Sequence, residues 1–154
     1  LHIDSKLTWK HHLIMKRKQL DLLLHKYSWL LGKSSKLSLP SKLLIYKTII
    51  RPIWMYGSQL WGTTAPSNLR IIQVVQNKFL RKITNMPVYV YTDVIHKTTK
   101  IQYVTDKIKE INESYINRLY KHPSHLALSL LDNSQTPRRL ARSHVLDIHS
   151  THPP

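Results

Sequence analysis

No cysteine occurs in these 154 residues, which excludes disulfides, thiolate metal sites and a cysteine nucleophile. Glycine is nearly as scarce, with 3 in the whole chain. A β-rich fold with tight hairpins needs more turn residues than that, and a phosphate-cradling glycine loop is excluded with it. Carboxylates are the third shortage: 8 Asp and Glu stand against 24 Lys and Arg. No DD or DxD pair, no HExxH pattern and no GxSxG elbow occurs. Glu110 and Glu113 lie three apart beside Lys107 and Lys109, the spacing of surface ion pairs. The longest apolar run of the most apolar stretch is Ile53 to Tyr56, far short of a membrane span, so no membrane partner is expected. No signal peptide is visible.

What is present is positive charge. The formal net charge is +16, with a sequence pI near 10.2. Residues 1–100 hold 17 Lys and Arg against 3 Asp and Glu, whereas residues 101–133 hold 4 against 4. Such an imbalance points to a polyanion meeting the first two thirds of the chain. The length suits one domain with a real core. Absence of cysteine is compatible with a reducing compartment, and an intracellular setting, nuclear or cytoplasmic, is expected.

The apolar spacing predicts an all-α fold: an irregular bundle of about five helices around a kinked central helix, ending in a flexible tail. Thr8 is expected to cap a helix reaching Leu31, with Trp9, Leu13, Leu20, Leu24, Tyr27 and Leu31 on one face and Gly32 as its stop. Ser38 and Pro40 open the central stretch, Ser41 to Gly62. Its polar side chains, Lys47, Arg51 and Ser58, fall on one narrow strip, so it should lie inside, kinked near Arg51 by Pro52. Ser67 is expected to cap a third helix reaching Thr84, ended by Asn85 to Pro87. Short extended pieces are expected at Val88 to Tyr91 and Ile101 to Val104, with a brief helix from Thr92 to Thr98 between them. Thr105-Asp106 should cap a further helix with Ile108, Ile111, Tyr115, Ile116 and Leu119 inward, closed by His122-Pro123. A last short helix over Leu126 to Asp132 leads into a polar tail.

Ten histidines invite a metal, but His11 and His12 are adjacent, about 100° apart on a helix, and the rest are scattered. No metal site is expected and no catalytic residue. Basic helices interleaved with Trp9, Trp29, Trp54, Trp61, Tyr27, Tyr46, Tyr56, Tyr89 and Tyr91 remain. Lysine and arginine on phosphates, combined with aromatic or shape contacts, is the chemistry of nucleic-acid binding without base readout. From charge and helical face, the phosphate contacts are assigned to Lys10, Lys16, Arg17, Lys18 and Lys33, then Lys47 and Arg51, then Lys78, Arg81 and Lys82.

The ordered segments LHIDSKLTWKHHL, KLSLPSKLLIYKTIIRPIWMYGSQLWG, QNKFLRKITNMPVYV, YVTDKIKEINESYINRLYKHPSHLALSLLDN and RRLARSHVLDI carry a family resemblance. The most specific piece is the set Tyr46, Pro52, Tyr56-Gly57 and Trp61-Gly62. Together they resemble the region after the palm in reverse transcriptases of jockey-like non-LTR retrotransposons. The resemblance implies that residues 1–7 end the palm, with Asp4 structural rather than a metal ligand. Residues 8–84 would be a three-helix thumb-like core built on Leu44, Tyr46, Ile50, Pro52, Tyr56 and Trp61. Residues 85–133 would be a smaller helical subdomain, and 134–154 a basic, disordered tail. It further implies RNA or an RNA/DNA duplex held by its backbone, and the missing fingers and palm as a partner. Polymerase chemistry would be absent here, because the YADD-type turn that binds Mg²⁺ is not present. Some related elements end in a Cys/His nucleic-acid-binding motif, which a chain without Cys cannot have. Beginning at Leu1 within an amphipathic pattern, the chain reads as a piece of something longer. Two other readings stay open: a free-standing basic helical module that binds RNA or DNA, and a translated remnant without function.

Overall fold

In a computed structural model, residues 1–5 and 8–129 are described, and among them there is no strand. The elements are α1 (Lys10–Lys26), α2 (Ser28–Leu31), α3 (Leu39–Ile45), a π-helical turn (Tyr46–Ile50), α4 (Arg51–Met55), α5 (Ser58–Trp61), α6 (Pro66–Thr84), α7 (Thr92–Thr99), α8 (Val104–Tyr120) and α9 (His125–Ser129). The all-α expectation holds. The last expected helix is met only as His125–Ser129. Its residues 130–132, and the tail at 134–154, lie outside the described residues.

Helix α6 carries the clearest buried stripe, with Ile72, Val75, Phe79, Leu80 and Ile83 recurring at helical spacing and all buried. Burying side chains of this size stabilises by roughly 1.5–3 kcal/mol each. Onto it pack α1, α2, α3, α7 and α8. Thr64 Oγ1 and Asn68 Nδ2 near the start of α6 donate to Thr8 O, while Lys78 and Lys82 further along lie against Asp21 and Gly32. Helices α1 and α6 are therefore parallel. The central stretch returns between their ends, with Lys42 bonded to Gly32 and the Ile53 carbonyl taken by Lys16.

Several helix ends depart from the sequence reading. The first helix does not run unbroken to Leu31, because Tyr27 (φ −95°, ψ 12°) separates α1 from α2. Nor does Thr8 cap it; Trp9 occupies the cap position in the left-handed region. The Asp4 carboxylate reaches across the turn, accepting from the Thr8 N–H at 3.0 Å, the Thr8 hydroxyl and the Trp9 N–H at 3.2 Å. The Thr8 hydroxyl bond, ahead of these backbone bonds, holds the Asp4 pKa below its ordinary value. Ser67 lies inside α6, whose cap is Ala65 with Pro66 at the first helical position. Helix α8 begins at Val104, before Thr105-Asp106, because Gln73 Oε1 of α6 accepts the Val104 N–H at 2.8 Å. Val88 to Tyr91 form a turn instead of an extended piece, and Ile101 to Val104 lead into α8 without any ladder.

Proline 52 does not break the central stretch at Arg51. The Arg51 N–H bonds Tyr46 O, five residues back, so the turn before the ring is widened by one residue and helical residues continue to Met55. The break falls at Tyr56-Gly57, where Gly57 has φ +70°. Burial of this stretch is one-sided. Tyr46, Ile50, Trp54, Ser58 and Trp61 are buried, while Leu44, Ile49, Tyr56 and Leu60 are exposed, and Pro52 with them. Leu44, Pro52 and Tyr56 are thus surface residues, not core. The polar strip also divides: Lys47 is exposed, Arg51 half-buried and Ser58 fully covered.

Ile95, Ile101, Val104 and Ile108 join the same buried cluster. On α8, Ile108 and Ile116 are buried as expected, but Ile111, Tyr115 and Leu119 are only half-covered and Asn112 takes the fully buried position. A polar network ties α7 and α8 to α6. His96 Nδ1 donates to Ile101 O at 2.7 Å, Gln76 Nε2 donates to Gln102 O at 3.0 Å, and the His96 ring stacks on Tyr103 at 3.9 Å.

Gly62 is where α5 meets α8. A Cβ there would lie 2.4 Å from Ser58 O and 2.6 Å from Ile108 Cγ2. Gly62→Ala should lower stability by roughly 1–3 kcal/mol in urea titration, the usual cost of overpacking. His12 is buried and accepts the His2 N–H on Nδ1 at 3.3 Å. Burial first, then Lys16, pushes its imidazole from 6.5 down to about 4. The unfolded chain therefore binds a proton that the folded one refuses between these values. The stability contribution is complete above 6.5 and falls as pH drops towards 4, by at most about 1.4 kcal/mol per pH unit. His12→Leu should flatten that slope in denaturant melts taken across this window.

Candidate nucleic-acid interface

The ten basic residues singled out from the sequence divide by what they touch. Lys16 Nζ donates to Ile53 O at 2.9 Å and lies 5.8 Å from the centre of the Tyr56 ring. Burial pushes its ammonium below the ordinary lysine value. Arg81 forks onto two carbonyls, Pro87 O and Val90 O, each at 2.8 Å, and holds the turn that carries Tyr89 and Tyr91. Both cations tie one part of the chain to another. Arg51 sits half-buried with its Nε covered and without a hydrogen-bond partner, and its charge helps hold the Glu110 carboxyl below its ordinary value, behind the direct bond from Lys107.

Arg17 and Lys78 meet across the seam between α1 and α6. Asp21 lies between them, 3.5 Å from Arg17 Nε and 2.9 Å from Lys78 Nζ. One carboxylate thus faces two cations, and a net positive charge is left on the seam. All three side chains are at least one-third exposed, so the pairs contribute little to stability. Lys10, Lys18 and Lys47 are exposed, and none of the ion pairs among the described residues includes them.

Lys33 and Lys82 come together at the end where α1, α2 and α6 all terminate. They line a broad open cleft of about 890 Å³ with His25, Trp29 and Asn85. Gly32 forms part of its wall, and beneath it the buried Lys42 ammonium donates to Gly32 O at 2.7 Å. Lys42 enters no ion pair among the described residues, so its charge adds to the same end. Sequence reasoning selected Lys33 and Lys82 but assigned neither Trp29 nor Lys42 to a site. Trp29 was visible as an aromatic beside a predicted helix end; only the parallel packing of α1 and α6 brings Lys82 beside it.

A second cleft, of about 710 Å³, lies between α7 and the start of α8 and is lined by Asp93, Lys97, Lys100 and Tyr103. It holds none of the ten. Among the described residues no group of three or more His, Asp and Glu is placed to hold a metal ion, and no helix is long and apolar enough to cross a membrane.

Comparison with known proteins gives these features a lineage. The chain is 39% identical over 151 residues to a probable RNA-directed DNA polymerase from transposon X-element of Drosophila melanogaster, covering 98% of this chain and 16% of that protein. It is 36% identical over 140 residues to a probable RNA-directed DNA polymerase from transposon BS of the same fly, covering 91% of this chain and 15% of that protein. It is also 36% identical over 154 residues to the RNA-directed DNA polymerase from mobile element jockey of Drosophila funebris, covering 95% and 17%. No family model and no solved structure matches it. The chain spans about one sixth of the length of the curated relatives it matches. Over nearly all of its residues, this protein is a homologue of one segment of the RNA-directed DNA polymerases of jockey and related Drosophila transposons.

Proposed function

We propose that this chain is the thumb-like region of a retrotransposon reverse transcriptase, which holds template and primer by their backbones while a palm elsewhere in the polymerase performs the chemistry. The observation that carries this reading is the distribution of charge on the parallel pair α1 and α6. Exposed cations run from Lys10 through Lys18 and the Arg17–Lys78 seam to Lys33 and Lys82, with Asp21 the single acid among them. α1 alone extends for roughly 25 Å, which gives a duplex several phosphates to meet on each strand. In this reading residues 8–84 form the clamp and 85–133 a smaller helical part that braces α6. The catalytic aspartates and their Mg²⁺ belong to the palm.

The alternative of a free-standing RNA- or DNA-binding module fits less well. Leu44, Ile49, Tyr56 and Leu60 are 60%, 45%, 67% and 54% exposed on the central stretch. Apolar surface of that kind favours a chain that packs against a larger body, here the fingers and palm of the polymerase.

Fluorescence anisotropy against RNA/DNA hybrid, DNA duplex and single strand, over a range of salt, tests the clamp. Affinity should fall with salt at a log-log slope of about −0.9 per phosphate neutralised on duplex, and the hybrid should bind more tightly than DNA duplex. Lys10→Glu combined with Lys18→Glu should make that slope shallower. A chain that retains no nucleic acid at low salt would be the functionless remnant. Primer extension with Mg²⁺ should give no product from this chain alone.

A further inference from the structure

We infer that the cleft between the end of α2 and the end of α6 binds an unpaired nucleotide, its base stacked on Trp29 and its phosphate held by Lys33 and Lys82. The inference rests on the nucleic-acid-binding reading above and adds to it a subsite for single-stranded nucleic acid.

Trp29 is the odd one among the four tryptophans. Trp9, Trp54 and Trp61 are 9%, 1% and 0% exposed, whereas Trp29, in the four-residue helix α2, is 70% exposed. Leaving so large an apolar face in water is unfavourable unless something covers it. Its surroundings say what that something is. The described part of the cleft wall contains no carboxylate; it offers the ammonium groups of Lys33 and Lys82 and the polar side chains of Ser28 and Asn85. An apolar protein segment would have to strip water from two lysines to reach the indole, without an anion to satisfy them. A nucleotide brings an aromatic face and an anion on one framework, and matches both needs.

The backbone fixes this arrangement. Gly32 turns out of α2 in an extended conformation (φ −76°, ψ −176°), and a Cβ there would lie 2.7 Å from Ser28 O and 3.2 Å from Lys82 Cε. The missing side chain therefore lets the Lys82 stem lie against the turn. Helix C-termini carry partial negative charge, which alone would repel a phosphate. Here the Gly32 carbonyl is already bonded to the buried Lys42 ammonium, and Lys33 and Lys82 set their own positive charge against the ends of α2 and α6. Asn85 adopts the left-handed conformation (φ 55°) that ends α6 beside Lys82. The cavity volume suits a small polar ligand, and its open side leaves room for a strand to enter and leave. A duplex has its bases stacked on one another, so only an unpaired residue can offer its face to the indole.

The measurement is intrinsic tryptophan fluorescence and anisotropy with the 154-residue chain at low salt, using oligo(dT) and a blunt DNA duplex of equal length. Three tryptophans are buried, so the accessible emission reports on Trp29. Oligo(dT) should quench it and shield it from acrylamide, and the duplex should do neither. Trp29→Ala should abolish the quenching and weaken oligo(dT) binding roughly 5- to 100-fold, with duplex affinity changed less than about 2-fold. Trp29→Tyr should restore most of the affinity. Lys33→Ala with Lys82→Ala should reduce the salt slope for oligo(dT) by about 1.4. If the wild-type chain binds oligo(dT) and Trp29→Ala binds it equally well, or loses duplex affinity in the same proportion, the subsite is overturned while the broader reading stands, and Trp29 is left as a protein-docking residue. If the wild-type chain binds neither strand nor duplex, both readings fall together.

Discussion

Everything in this fold leans on one amphipathic helix. The stripe of Ile72, Val75, Phe79, Leu80 and Ile83 on α6 is buried by elements that arrive from both directions along the chain. α1 and α3 cover it from the N-terminal side of the sequence, and α7 and α8 from the C-terminal side. The polar side chains that interrupt the stripe are used as well. Gln73 satisfies the first N–H of α8, and Gln76 bonds the Gln102 carbonyl. A buried amide left unpaired is costly, so this network fixes where α8 begins as firmly as the apolar contacts do.

A chain with three times as many cations as acids meets a particular problem: too few carboxylates are available to pair its lysines and arginines. The structure answers with backbone. Lys16 bonds Ile53 O, Lys42 bonds Gly32 O and Arg81 bonds two carbonyls of the turn after α6. These cations work as internal ties, their donors committed to the protein's own backbone while their charge stays with the fold. Of the cations that remain exposed, one group lies along α1 and α6 and at their shared end, while Lys47, Lys97, Lys100 and Lys109 lie elsewhere.

Homology and geometry speak to different levels of function. Identity of 34–39% over nearly all of the chain makes it a homologue of one segment of the polymerases of mobile elements. The exposed apolar side chains of the central stretch and the basic seam between α1 and α6 are the physical features on which the proposed grip on nucleic acid and packing against a larger body rest.

The sequence by itself determined the helical class, because spacings such as that of Ile72, Val75, Phe79 and Ile83 have one periodic solution and the glycines for another fold are missing. It also determined the sign and the rough position of the charge, which depend on composition alone. Helix ends were legible only where the signal was local, as at Ser38, Gly32 and Asn85. Tertiary structure decided the rest. It set the start of α1 through Asp4 and the start of α8 through Gln73, and it chose a π-helical turn over a break at Pro52. It also left one side of Ser41 to Gly62 uncovered. A side chain three or more residues away, or on another helix, can satisfy a backbone donor as well as a neighbour can, and no spacing rule contains that information. The pairing of Trp29 with Lys82 belongs to the same class, since residues 53 positions apart in the chain meet only once α1 and α6 lie parallel.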